Sequence, residues 1–433
     1  MSHSDIHGVI VLVRNGDRYE HYQDSVTYKA SYAASTPLGA VQSHGLGAYL
    51  RSLYFHDTSP RIQDVNAELV DLAKIHVLVN SGEESTSVFN SATALLQGLF
   101  PPSVKHRTTL ANDSSIVAPL KGYQYIPVET AEPANDRSLE SWTDCPAFQQ
   151  HVKNVLSSTK FKEAKREAES FYKAVESYIP VRPVNLDNAY NVCQYLHFTV
   201  FVLIPAISLP PTFMQQARGW ADFRENAVFS DEQITGIGYI ASRTTLSTIT
   251  TALQRIAFNG DPLRFMLIES TYHPFISLFH QTEMIKSHPE LQAIPNFASA
   301  LAIELRRSPS DARDFLSFKF RNGSEEDFRP VHIFGHREDI PLTEFIYRVG
   351  VTYIRCVAFN TVTNPRFGSE ICDQQQQRMV PCLWRIFQGA CTAWLPWFGK
   401  HVLGCGIRRG WGLHPDTPYT TDLAFLQRFL PWT

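Results

Sequence analysis

The chain has 433 residues, enough for one large domain or two modest ones, and its apolar content of 44% allows a substantial core. That apolar content argues against global disorder. The net charge is only -3, with an isoelectric point near 6.6, and the sequence contains no basic block or acidic tail. We therefore expect no extended nucleic-acid surface and no nucleic-acid partner.

The polar start, MSHSDIHGV, runs directly into an apolar segment, without a secretory signal. This pattern predicts a cytoplasmic protein. The seven cysteines form no C-x-x-C pair; they would be free thiols in the cytosol, whereas some would pair in a secreted protein. Sequons at Asn112 and Asn322 weakly favour secretion, so both locations stay open at this point.

The apolar run Val9–Val13 predicts a buried parallel strand, and the loop Arg14–Arg18, R-N-G-D-R, follows at its carboxyl end. In open α/β sheets that end is where ligands bind. Two arginines around a glycine at this place indicate an anion cradle.

Further elements follow in chain order. Helical spacing after Thr36 predicts a helix with Thr36 as its N-cap. A strand (IHVLVNSG), a helix (ESTSVFNSATALLQGL, ended by two prolines) and a strand-like segment (KGYQYIPVET) come next. Helices are then predicted over the charged stretch between Cys145 and Ser177 and over LDNAYNVCQYLHFTVFVL, PPTFMQQARGWADFREN and ITGIGYIASRTTLSTITTALQRIAF. The G-x-G of TGIGYI is expected inside that last helix, so it is no nucleotide-binding signature.

The last third begins with a strand, RFMLIEST, and a helix from YHPFISLFHQ. LAIELRR and DFLSFKFRNG alternate as paired strands, and VHIFGHREDIPLTEFIYRVG is expected to be a loop. This order predicts an α/β core with a helical insert. The expected domains are residues 1–105 and 225–350 for the core, 106–224 for the cap, and 351–433 for a C-terminal extension packed on the core.

The extension contains MVPCLWRIFQGACTAWLPWFGKHVLGCG, rich in Trp, Phe and Cys. Arg385 and Lys400 interrupt it, so it is a poor transmembrane span. We expect it to pack on the body; contact with a membrane interface is the alternative.

Several of these segments together resemble the histidine acid phosphatase family, branch 2 of the histidine phosphatase superfamily. VLVRNGDR is similar to its R-H-G-x-R loop, TPLGAVQSHGLGAYLRSLY to its first helix, and SVFNSATALLQGLFP to its R-x-x-x-S-A…GLFP segment. RFMLIESTYHPFISLF corresponds to its strand and H-D-x-T turn. The resemblance covers roughly residues 6–350 and implies the phosphoglycerate-mutase-like α/β fold with a mostly helical insert; the substitutions look most like a divergent fungal branch.

In that family a phosphorylated histidine, arginines, a second histidine and an acid perform phosphate ester hydrolysis. The resemblance places Arg14 and Arg18 at the two loop arginines and Asn15 at the nucleophile. Ser87 stands where the third arginine belongs; no arginine lies between Ile62 and Lys105.

The H-D-x-T turn of the family is also changed. Tyr272 takes the place of the second histidine and His273 that of the general acid. The later segment GHRED resembles an H-A-E variant of the superfamily, but it follows the two late strands, so His336 and Glu338 are expected in a surface loop.

Each missing group costs on the order of 10² or more in rate, so the resemblance implies that phosphohistidine hydrolysis is lost. Asn15 alone could be an engineered change that traps substrate, because an amide cannot form the phosphohistidine; the alternative is then an acid phosphatase that hydrolyses phosphomonoesters. The loss of three positions together favours natural divergence.

Two classes of function stay open. The first is a repurposed enzyme performing cyclisation, isomerisation, dehydration or another proton transfer on a small molecule that presents an anionic or carbonyl oxygen. Arg14, Arg18 and Ser87 would bind that ligand, and the catalytic candidates are His273, Tyr272, Asn15 and Asp17. His273 is expected to titrate near neutral pH.

The second class is a pseudophosphatase that binds a ligand or partner without turnover, favoured by a blocked cleft or by an exposed apolar patch on the tail. Structural roles are the alternative for each group. The two arginines would then pair with carboxylates such as Asp17 or Glu269, and the Tyr-His pair would simply pack. The sequence indicates no metal motif and no cofactor.

Overall fold

The computed structural model describes residues 6–56, 61–82, 84–180, 182–199, 209–258, 260–307 and 313–350. Ten strands occur there, eight of them in one sheet. They are β1 (Ile6–Arg14), β2 (Ile75–Asn80), β3 (Arg107–Thr109), β4 (Ser115–Val117), β5 (Glu129–Ala131), β6 (Phe265–Ser270), β7 (Ala300–Arg307), β8 (Asp314–Arg321), β9 (Arg329–Val331) and β10 (Ile340–Pro341).

The helices are α1 (Pro37–Tyr54), α2 (Ser85–Leu99), the short turn α3 (Pro119–Gly122), α4 (Pro146–Ser157), α5 (Thr159–Val175), α6 (Ala189–Phe198), α7 (Pro211–Val228), α8 (Ile240–Phe258), α9 (His273–Gln281) and α10 (Met284–Ser287). Residues 342–350 are also helical.

The sheet runs in the order β10-β8-β7-β1-β6-β2-β5, with β9 beside β8 and the hairpin β3-β4 separate. β1 lies parallel to β6, with Arg14 opposite Ser270, and antiparallel to β7. The carboxyl ends of β1, β6 and β2 therefore share one edge of the sheet, where the loops that follow them meet.

Helices cover both faces of this sheet, as a parallel core requires. On one face the β1 residues Val9, Val11 and Val13 pack with α1 and α2. On the other face Ile10 and Leu12 pack with α8 and α9.

A third apolar cluster holds the helical insert together. Helices α4, α5, α6 and α7 supply most of it, while Tyr28, Tyr272 and Ile276 join it from the sheet side. The insert and the sheet therefore share buried side chains. The domain boundaries at 105/106 and 224/225 stay a prediction.

Most expected elements are confirmed, including the strand at Val9–Val13, the β7-β8 hairpin and the α1 cap. Thr36 is extended, and its side chain accepts a hydrogen bond from the Gly39 backbone N–H. β1 is parallel only on its β6 side. The C-terminal extension (351–433), with five of the cysteines, lies outside the described residues; Cys145 and Cys193, within them, are buried free thiols.

Four expectations are wrong in detail. KGYQYIPVET forms no strand before Glu129, where the three-residue β5 begins. Ser158 divides the charged stretch into α4 and α5 by capping the second helix. The glycines of TGIGYI precede α8 instead of lying inside it. The segment after β9, expected to be a loop, contains β10 and the helix 342–350. Within the described segments, no helix is both long and apolar enough to cross a membrane.

Candidate functional site

The loop after β1 is held by hydrogen bonds to β6, to the segment that precedes β7 and to α2. The Asn15 N–H donates to the Ser270 carbonyl at 3.1 Å, and the Ala298 N–H donates to the Asn15 carbonyl at 3.1 Å. The Gly16 N–H donates to Ser91 Oγ on α2 at 3.0 Å. The loop is therefore fixed at the edge where β1, β6 and β7 meet, as its sequence position predicts.

Arg14 is buried beneath an aromatic ring. Its Nη1 donates to the Pro295 carbonyl, and its guanidinium carbon lies 4.2 Å from the centre of the Phe297 ring. Burial lowers the pKa of Arg14 to about 10. Its Nε has no hydrogen-bond partner within the described part of the chain.

Arg18 is also buried, at 2% exposure, and its positive charge is paired with a carboxylate inside the protein. Its Nε lies 3.2 Å from a Glu84 carboxylate oxygen, and its Nη2 donates to the Tyr190 hydroxyl at 2.9 Å. The other Glu84 oxygen lies 3.1 Å from His21 Nε2. Burial alone would raise the pKa of Glu84, but the charge of Arg18 and the contact with His21 outweigh it and hold that pKa well below its usual range.

Asp17 forms a second polar cluster beside these arginines. Its carboxylate accepts from Thr36 Oγ1 at 2.6 Å, and its other oxygen lies 2.9 Å from His197 Nε2 on α6. Burial alone would raise the pKa of Asp17, but these two hydrogen bonds lower it overall. The Asp17 side chain is 2% exposed, whereas that of His197 is 26% exposed. His197 therefore connects a buried carboxylate to the surface.

Asn15 and Ser87 are fully buried and bonded to nearby backbone. Asn15 Nδ2 donates to the Gly16 carbonyl at 2.9 Å, and Ser87 Oγ donates to the Glu84 carbonyl at 3.0 Å. A serine hydroxyl bonded within its own helix turn carries no positive charge, so it does not replace the arginine that the family motif has there.

Tyr272 follows β6 and forms hydrogen bonds that link this strand to the helical insert. Its hydroxyl donates to Glu225 on α7 at 2.9 Å and accepts from Gln23 Nε2 at 2.7 Å. Glu225 also accepts from the Tyr28 hydroxyl and is paired with the buried Arg224. Burial raises the pKa of Tyr272 well above its usual value. These contacts fit the structural role that the sequence left open as the alternative, and a catalytic role for Tyr272 stays a prediction.

His273 lies at the start of α9 inside a closed set of aromatic rings. Its ring centre lies 3.8 Å from that of Tyr272, 4.8 Å from that of Trp142 and 5.0 Å from that of Phe229. Its Nδ1 is 2.7 Å from Thr271 Oγ1, and Nε2 has no hydrogen-bond partner within the described residues.

Burial lowers the pKa of His273 well below 6.5. The expectation that it titrates near neutral pH is therefore wrong. Its role as acid or base stays an untested prediction, and its 3% exposure counts against that role.

Phe297 covers the two arginines from the loop that precedes β7. Besides stacking on Arg14, its ring centre lies 5.4 Å from the Arg18 guanidinium carbon and 5.6 Å from the His197 ring centre. The next residue, Ala298, has a φ of 56°, a left-handed conformation that is unfavourable for an L-residue with a side chain. That turn is held by the Ala298 hydrogen bond to Asn15.

The structure thus brings Arg14, Asp17 and Arg18 together as the sequence predicts, but with different partners. The carboxylate at Arg18 is Glu84, not Asp17 or Glu269. Both Glu269 side-chain oxygens are buried without a hydrogen-bond partner among the described residues, and burial raises the pKa of Glu269 well above its usual value.

Sequence reasoning missed Glu84, His197 and Phe297. Glu84 carried a usable signal, because it is a carboxylate at the start of the helix that bears the family's S-A motif. His197 and Phe297 carried none, because they come from distant segments that join this edge only in the folded chain.

The segment Gly335–Asp339 lies in a loop, as expected. His336 Nε2 lies 3.0 Å from Glu344 Oε1, far along the chain from the β1 loop. Across the described ranges, no group of three or more His, Cys, Asp or Glu side chains could hold a metal ion.

The sheet order, the helical insert and two arginines at the end of the central strand define a histidine-phosphatase-like α/β protein. The model of the histidine phosphatase superfamily (branch 2) matches residues 10–313, so the chain belongs to this family. Among curated proteins, no sequence matches the chain significantly.

Solved structures of phytases share this fold at low sequence identity. The phytase from Citrobacter braakii has a TM-score of 0.56 and 13% identity, over 80% of this chain and 98% of that one. The Klebsiella sp. ASR1 phytase has a TM-score of 0.56 and 11% identity, over 80% and 96%. The Hafnia alvei phytase in complex with myo-inositol hexakis sulphate has a TM-score of 0.55 and 11% identity, over 81% and 98%.

Proposed function

We propose that this histidine-phosphatase-fold protein does not hydrolyse phosphate esters through a phosphohistidine, and that it performs proton transfer on a small organic molecule instead. The observation that carries the proposal is the Asp17–His197 pair at 2.9 Å, because it joins a buried carboxylate to a partly exposed imidazole beside Arg14 and Arg18. Cyclisation, isomerisation and dehydration all need such a positioned acid or base.

The absence of phosphohistidine chemistry is supported residue by residue. Asn15 cannot be phosphorylated as a histidine is, and Ser87 cannot hold a phosphoryl oxygen as an arginine does. The charges of Arg14 and Arg18 are balanced by those of Asp17 and Glu84. A dianionic phosphate monoester would therefore meet four charged groups that sum to zero.

The chemistry of His197 follows from its partner. The lowered pKa keeps Asp17 ionised at neutral pH, and an ionised carboxylate only accepts hydrogen bonds. The His197 Nε2–H therefore donates to this carboxylate, and we assign the proton transfer with substrate to the imidazole ring that Asp17 orients. Asp17 then stabilises the imidazolium that forms.

The substrate class follows from the same charges. A neutral molecule with a carbonyl oxygen and an adjacent C–H suits a site in which one arginine already has an internal anion. Arg14, whose Nε has no hydrogen-bond partner in the described structure, is the cation that would polarise that oxygen. A cytoplasmic location and the absence of a cofactor remain our predictions from the sequence.

A second candidate is a non-catalytic pseudophosphatase that binds a ligand. The closed packing of His273, Asn15 and Ser87 favours it, because none of the three is more than 3% exposed. The two candidates differ in one respect that can be measured, which is whether His197 moves a proton.

The test uses 5-nitrobenzisoxazole, a probe from which a base removes the C–H proton while the N–O bond breaks to give a coloured phenolate. We expect the protein to catalyse this elimination and His197→Ala to lose at least about 10²-fold in rate. Asp17→Asn should lose less, because the imidazole remains but is no longer oriented by a carboxylate.

His76→Ala is the matched control. Its ring lies 2.7 Å from Glu129 and its side chain is 28% exposed, so it is a similar pair on a surface without the two arginines. Equal rates for the unmodified protein and His197→Ala would exclude proton transfer by His197 and leave the pseudophosphatase. An equal loss in His76→Ala would show that any exposed imidazole produces the rate.

A further inference from the structure

Glu84 has an unusual place for a carboxylate. It is the N-cap of α2, where a side chain commonly accepts a hydrogen bond from the first turn, yet its side chain makes no such bond. The carboxylate instead reaches across to Arg18 and His21. Only 4% of the residue is exposed, so this anion is internal.

The position of Glu84 relates it to the missing arginine. It lies three residues before Ser87, which occupies the position of the third arginine in the family motif and bonds to the Glu84 carbonyl. One turn of the same helix has therefore lost a cation and contains an anion. Asp17 aside, three cations would give this buried site a net charge of three, whereas two cations and one anion give it a net charge of one.

Arg18 is the group on which this anion acts. Its Nη2 donates to the Tyr190 hydroxyl, and its Nε lies 3.2 Å from a Glu84 oxygen as an ion pair, but neither Nε nor Nη1 forms a hydrogen bond in the described residues. A guanidinium binds phosphate best with two parallel N–H groups, and here the Glu84 carboxylate lies beside the Nε while the Nη2 is bonded to Tyr190.

We propose that Glu84 is a tethered anion that occupies the phosphate-binding face of Arg18 and makes the site select uncharged ligands over phosphate esters. This inference rests on the proposed function and identifies Glu84 as the residue that determines the substrate class of the site. A phosphate group would have to displace a carboxylate that is held at an effective concentration no free ligand reaches.

The test is phosphate binding by isothermal titration calorimetry. Glu84→Gln keeps the shape of the side chain but removes the charge, so it should bind inorganic phosphate at least about tenfold more tightly than the unmodified protein. Adding Arg18→Ala to Glu84→Gln should abolish that gain, because the guanidinium is then missing.

Glu304→Gln is the matched control. Glu304 is also buried and paired with two cations, Arg306 and Lys319, but it lies on β7 away from the β1 loop. Its substitution should leave phosphate binding unchanged. The inference is overturned if Glu84→Gln folds and binds phosphate no better than the unmodified protein, or if Glu304→Gln gains as much.

A second variant covers a folding failure. Glu84→Ala leaves a space beside Arg18 into which acetate or phosphate can bind, so either anion should raise its melting temperature and not that of the unmodified protein. If neither variant folds alone, the yield of refolding in phosphate is compared with that in chloride at equal ionic strength. A yield independent of phosphate overturns the inference. Phosphatase activity in the unmodified protein would instead contradict the proposed function, so the two failures are distinguishable.

Discussion

Buried histidines should make this protein lose stability in mild acid. Burial lowers the pKa of His280 to about 4 and that of His273 well below 6.5. In the unfolded chain both rings have a pKa near ~6.5. As the pH falls below that value, the unfolded state binds protons that the folded state does not, so its free energy falls relative to the folded state.

The magnitude follows from the width of this window. Each histidine that stays neutral in the folded protein lowers the free energy of unfolding by about 2 kcal/mol between pH 7 and pH 5. His273 and His280 together give roughly 4 kcal/mol, a large part of the 5–15 kcal/mol typical of folded proteins, and His21, whose pKa is also lowered by burial, acts in the same direction. Glu84 adds nothing in this window: because its folded pKa is depressed, its contribution is present above about pH 4.5 and is lost only in stronger acid.

Urea unfolding at pH 7, 6 and 5 measures the effect. His280→Gln should reduce the difference between pH 7 and pH 5 by about 2 kcal/mol, because the imidazole of residue 280 no longer titrates. His76→Gln, which removes an exposed histidine, controls for the loss of an imidazole as such. An unfolding free energy that is the same at pH 7 and pH 5, or an unchanged pH dependence in His280→Gln, would refute the reasoning.

Two substitutions test the packing around the site by urea unfolding. Tyr272→Phe should lower the free energy of unfolding by about 2–3 kcal/mol, because Gln23 and Glu225 both lose their hydroxyl partner. Tyr172→Phe should lower it little, because that buried hydroxyl has no partner in the described structure. Unchanged stability in Tyr272→Phe would contradict the structural role. Gly16→Ala should lower the free energy of unfolding by about 3 kcal/mol, because a Cβ there would lie 2.3 Å from the Gly39 carbonyl oxygen. Gly45→Ala in α1 should instead stabilise the helix slightly, because the added methyl group meets open space. Equal effects of the two substitutions would show that the loop and α1 are not in close contact.

Much of the fold could be predicted because its signals are local. The apolar run Val9–Val13, the cap at Thr36 and the alternation in β7 and β8 each specify an element within a few residues. KGYQYIPVET misled because its apolar and aromatic residues alternate like a strand, while only Glu129–Ala131 finds a partner, β2. β-structure needs such a partner, which the local pattern does not report.

The site was predictable only where one segment carries it. Arg14, Asp17 and Arg18 share a loop, so a short motif reveals them together. Asp17 and His197, however, are 180 residues apart, and their pairing depends on where the helical insert places α6. For His273, the expected pKa assumed solvent, but aromatic rings from the insert surround the imidazole, and burial reverses the expectation.

The proposal that this protein lacks phosphohistidine hydrolysis is tested most directly by the turnover of a chromogenic aryl phosphate. We predict a rate near background for the unmodified protein. Asn15→His alone should also stay near background, because Ser87 still supplies no cation and Glu84 still occupies Arg18. Turnover comparable to that of ordinary acid phosphatases in the unmodified protein would contradict the account, and strong hydrolysis restored by Asn15→His alone would indicate that Asn15 is an engineered change.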